Sequence, residues 1–133
     1  MPSRPPDPPA TPSWGELLSA AQAEVEQTLR ELPETVRGAA SKVPVIYERR
    51  PGRGLTEDGL DDDLLGLFVG DPMAEEGLGG SVPAQILLFL ENLWEFVEGD
   101  PEAYAEEVQT TYLHELGHYL GLDEIDLEER GLD

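Results

Sequence analysis

The chain has 133 residues, 39% of them hydrophobic, with no cysteine and a formal net charge of −21. Such a length supports one domain with one core, the lack of cysteine excludes disulfides and thiolate metal sites, and no apolar run of roughly 18 or more residues offers a membrane helix. The acid excess lies wholly in residues 54–133, where 22 acids face Arg130 alone; that field repels nucleic-acid backbones and anionic lipid, and it attracts metal cations and basic peptides.

Residues 1–12 hold six prolines and read as a disordered Pro-rich tail, leaving 13–133 as the folded domain. The start Met1-Pro-Ser-Arg-Pro-Pro lacks the apolar stretch of a secretory signal, so the expected location is the cytoplasm. Ser13 is placed to cap a helix. Trp14, Leu17, Leu18, Ala21, Val25, Thr28, Leu29 and Leu32 recur mostly at three- and four-residue steps, predicting an amphipathic helix to about residue 31. Pro33 stops it, and Glu34–Ser41 form a short second helix.

Val43–Glu48, rich in β-branched and aromatic residues, reads as a strand. Arg49–Asp63 reads as loop. Leu64–Val69 is a second strand, closed by Gly70-Asp-Pro, and Met73–Gly80 is a Gly- and Glu-rich loop with the makings of a lid. Gln85–Leu90, the most apolar segment, suits a central strand, followed by a short helix over Glu91–Glu98. One helix over 84–97 fits the same run, because short apolar segments carry no decisive period.

Asp100-Pro101-Glu102 is a helix start: a capping acid, proline in the first turn and an acid after it. The helix should run from Pro101 to about Leu120, with Tyr104, Val108, Tyr112, Leu116 and Tyr119 as its core stripe. Gly121 can take the left-handed conformation that ends it. Both histidines of the chain, His114 and His118, lie off that stripe, on a flank shared with Thr111 and Glu107.

Those histidines belong to His114-Glu115-Leu116-Gly117-His118, an H-E-x-x-H pattern. On a helix, positions i and i+4 stack on one face, so both imidazoles can reach one ion, with Glu115 placed to polarise metal-bound water as a general base. Zinc takes four ligands and leaves one to water at a catalytic site. The turn at Gly121 can bring a third ligand back: Glu124 first, with Asp123, Asp126 and Glu128 as competitors. Other divalent ions fit the same hard donor set. Three competing readings are surface histidines without metal, a structural zinc closed by Asp126 or Glu128, and a non-catalytic metal-binding interaction module.

The segment from His114 to Glu124 resembles the extended metzincin pattern H-E-x-x-H-x-x-G-x-x-H, with Glu124 in place of the last histidine. More closely, residues 14–133 resemble a family of small bacterial zincin-like zinc metallopeptidases, minimal and metzincin-related, once described only as a domain of unknown function. The supporting features are Glu31-Leu-Pro-Glu34, Leu65–Gly70, Pro83 with the apolar run behind it, and the acidic ending after Gly121. The resemblance implies a minimal α+β zincin-like fold: a small mixed sheet packed on an N-terminal helix and on the active-site helix. It implies one Zn2+ ion at His114, His118 and Glu124, with Glu115 as the catalytic base. The expected partner is a peptide or protein substrate laid along an edge strand, Leu64–Val69, with no nucleic acid, no membrane, and a monomer as the default state. Two departures stand out. No methionine follows the motif to form a Met-turn, and the chain ends nine residues after Glu124, which leads one to expect a shallow, open site.

Overall fold

A computed structural model describes residues 11–57, 59–73 and 82–121. Helix α1 spans Trp14–Glu31, α2 Glu34–Ala40, strand β1 Val45–Glu48, α3 Arg53–Glu57, β2 Gly66–Val69, β3 Gln85–Phe89, α4 Leu90–Phe96 and α5 Pro101–Leu120. Among the described residues the sheet has three strands in the order β1-β3-β2, with β1 parallel and β2 antiparallel to β3. This is the small mixed sheet, in an α+β arrangement, that the resemblance implies. No helix among the described residues is long and apolar enough to cross a membrane.

The caps act as their residue types dictate. The Ser13 hydroxyl accepts the Glu16 N–H at 3.2 Å, and α1 ends before Pro33. The Asp100 carboxylate accepts the N–H groups of Glu102 and Ala103, and Pro101 occupies the first turn where its missing donor costs nothing. At the far end Gly121 sits at φ 74°, and its N–H donates to carbonyls of the last turn.

Helix α5 touches α1, α4, β2 and β3. Ile86 and Leu88 of β3 share one sheet face with their neighbours Val45, Tyr47 and Phe68, and that face meets the helices. Beneath it lie Tyr104, Val108, Tyr112, Leu116 and Tyr119, all buried, as their spacing predicts. Each such side chain contributes about 1.5–3 kcal/mol by leaving water. The Tyr104 hydroxyl donates to the Leu17 carbonyl at 2.9 Å and ties α5 to α1. The Phe68 and Tyr119 rings pack at 6.0 Å, which binds β2 to the last turn of α5.

The structure departs from the sequence reading in three places. The expected loop Arg49–Asp63 contains α3, started by Leu55 and Thr56 N–H groups donating to the Gly52 carbonyl. The apolar run 84–97 divides into β3 and α4 as the strand-then-helix reading expects, with the boundary one residue earlier, and the single-helix alternative fails. Pairing on both edges of β3 decides it, since a segment hydrogen-bonded to two neighbours gains ladder bonds that a lone helix turn cannot match. Strands β1 and β2 are each two residues shorter at their starts than predicted. The buried face of α5 also includes Thr111, Leu113 and Gly117, because sheet and helix cover it from two sides. Residues 1–10, the loop beyond Met73 and the acidic ending after Gly121 lie outside the described residues.

Candidate metal centre

His114, Glu115 and His118 lie on one exposed flank of the last two turns of α5. One potential ligand atom from each lies within 4.8 Å of the others. The two imidazoles face solvent, with ring centroids 5.0 Å apart and planes at 86°. Neither points into the core, so small side-chain rotations bring two nitrogens onto one ion. Nitrogen donors beside a carboxylate suit a borderline divalent metal, and the three groups could hold one. The other proposed ligands, Glu124, Asp123, Asp126 and Glu128, lie outside the described residues.

Glu115 differs from its neighbours in being half-buried. Burial pushes its carboxyl above the ordinary value; His118 and His114, and a hydrogen bond from the Phe68 backbone, pull the other way. That last contact locates the site against the sheet. The Phe89 N–H donates to the Leu65 carbonyl at 3.0 Å, so in the antiparallel ladder Leu65, Leu67 and Val69 turn their backbone groups toward β3. Gly66 and Phe68 therefore turn theirs to the other edge, and there the Phe68 N–H meets Glu115. Among the described residues no strand pairs with that edge.

Gly66 sits where β2 comes closest to α5. A Cβ there would lie 2.6 Å from Thr111 Cγ2, 3.2 Å from the Leu87 carbonyl oxygen and 3.4 Å from Glu115 Cγ. Only a residue without a side chain lets the strand lie this low over the motif. Asn92 holds the approach to that strand. Its amide donates to the carbonyls of Asp62 at 2.7 Å and Leu64 at 2.9 Å, and its oxygen accepts from Arg50 at 2.7 Å. Sequence reasoning missed both residues, although each left a signal. A glycine inside a strand marks a close backbone approach, and the one asparagine of the chain interrupts the apolar side of a short helix.

His114, His118, Glu115, Thr111 and Glu107 thus share the flank that their spacing predicts, except that Thr111 is 7% exposed and packs beneath β2. The expected edge strand lies beside them. A family model described as zincin-like metallopeptidase matches residues 40–132. No curated protein matches the chain. Motif helix, mixed sheet and family match agree, and the chain belongs to the zincin-like metallopeptidase family.

Proposed function

We propose that the protein is a zinc-dependent peptidase that hydrolyses peptide bonds at the flank formed by His114, Glu115 and His118. The observation that carries this reading is the position of Glu115: half-buried, between two solvent-facing imidazoles and the edge of β2 that no described strand pairs with. His114 and His118 would hold the ion, with Glu124 as third ligand. A zinc ion there supplies Lewis acidity toward a peptide carbonyl and toward water.

The chain's own residues do the rest. An extended peptide or protein segment adds to β2 through the outward backbone groups of Gly66 and the Phe68 carbonyl. Glu115 takes a proton from the attacking water and delivers it to the departing amine. Its burial favours the protonated form and so raises its basicity. Phe68 holds the carboxylate at the strand edge, where the scissile bond would lie.

The test compares wild type with Glu115→Gln after zinc loading, on an unstructured peptide pool read by mass spectrometry. Cleavage should fall by about 10²–10⁴-fold in the variant while bound zinc is unchanged. Stoichiometric zinc with no cleavage by wild type would assign instead a metal-binding interaction module.

A further inference from the structure

A groove of about 350 Å³ opens beside His114 and Glu115. Residues Leu64–Gly66 form one wall; Glu107, Thr111 and His114 lie on the other. We propose that this groove is a side-chain subsite selective for arginine or lysine, with Glu107 as the selecting residue. The proposal rests on the peptidase reading for what occupies the groove.

Length, lining and charge each support it. Glu107 stands seven residues before His114, or about 10 Å along the helix axis. A peptide residue seated beside the motif helix needs a long side chain to approach it. The leucines offer an apolar path for an aliphatic stem, and the carboxylate meets a cationic head. The Thr111 hydroxyl donates to Glu107 Oε1 at 3.3 Å, which restrains the carboxylate and leaves it further acceptor capacity. Among the described residues no Lys or Arg is paired with Glu107. The ion pairs among the described residues join Arg49 and Arg50 to Glu91 and Glu95, and no Lys or Arg occurs between residues 54 and 129.

Strand direction sets the position. The groove adjoins the N-terminal end of β2. A peptide paired antiparallel to β2, the more stable arrangement, places its C-terminal half there. The basic residue therefore lies on the C-terminal side of the scissile bond, within its first few positions.

The experiment uses peptide series identical except for Arg, Lys, norleucine or Glu at one of the first three positions after the scissile bond, each position scanned in turn. Cleavage is measured with zinc-loaded wild type and Glu107→Gln, and binding by fluorescence anisotropy with Glu115→Gln. Arg and Lys should exceed norleucine by about fivefold in both assays, and Glu107→Gln should bring the ratio to about one. Glu107→Lys should shift the preference toward Glu. Cleavage with no basic preference, or a preference that survives in Glu107→Gln, overturns the subsite and leaves the peptidase standing. Glu107-dependent binding of Arg peptides without cleavage supports the subsite and removes the peptidase. No binding of any peptide overturns the subsite.

Discussion

Replacing Gly66 by alanine adds one methyl group where β2 lies lowest over the motif helix. Its φ is one that any residue adopts, so without a clash the change would stabilise the strand by about 0.5–1 kcal/mol. The contacts reverse the sign. The new carbon would stand 2.6 Å from Thr111 Cγ2, against about 3.5–4.0 Å for carbon atoms in contact. Thr111 has little room to yield, being buried, β-branched and bonded to Glu107. The Leu87 carbonyl belongs to the central strand and cannot withdraw without breaking the ladder. Strand and helix must part by about 1 Å, at a net cost of about 1–3 kcal/mol. Thermal unfolding should therefore shift down by about 5–10 °C. Thr111→Ser removes the opposing methyl and keeps the hydroxyl, so the double variant should recover at least half of the loss. A Gly66→Ala protein as stable as wild type, or a double variant whose costs simply add, would refute the close approach of β2 to the motif.

Asn92→Ala strips partners from the carbonyls of Asp62 and Leu64 and from Arg50, and should cost about 2–4 kcal/mol in chemical denaturation, with faster amide exchange at Leu64–Gly66; a change below about 0.5 kcal/mol would contradict the clamp. Alkali should unfold the protein through its tyrosines. Burial pushes Tyr47 and Tyr112 up to about 12 and Tyr104 higher still, from an ordinary value of 10.0. Their neutral forms favour the folded state, so stability should hold below pH 10 and fall as pH rises through about 12. A denaturation midpoint flat across that window would count against the burial. Gly121→Ala forces a side chain into φ 74° and should cost about 1 kcal/mol by fraying the last turn, visible as a lower thermal midpoint; an unchanged midpoint would deny the left-handed cap.

Local chemistry made most of α5 legible. Asp100-Pro101 starts it, Gly121 stops it, and the tyrosine and leucine spacing sets its buried face, so the flank bearing His114, Glu115 and His118 follows from arithmetic on 3.6 residues per turn. What could not be read depends on contacts far apart in sequence. Helix α3 is five residues long, too short to show a period. The apolar run 84–97 fits either type of element, and the pairing of β3 with β1 and β2 decides it. Thr111 looked like a flank residue beside the histidines and is buried only because β2 crosses over it. The same crossing turns Gly66 from one more glycine into a shaping element of the site and brings the Phe68 backbone to Glu115.

The central claim is that one turn of α5 presents two imidazoles to a common ion. Zinc titration into purified, metal-stripped protein tests it most directly. Wild type and Glu115→Gln should each bind one equivalent, and His114→Ala and His118→Ala should each weaken binding by at least about tenfold. Wild type that takes up no zinc, or a His114→Ala/His118→Ala double variant that binds as wild type does, would contradict it.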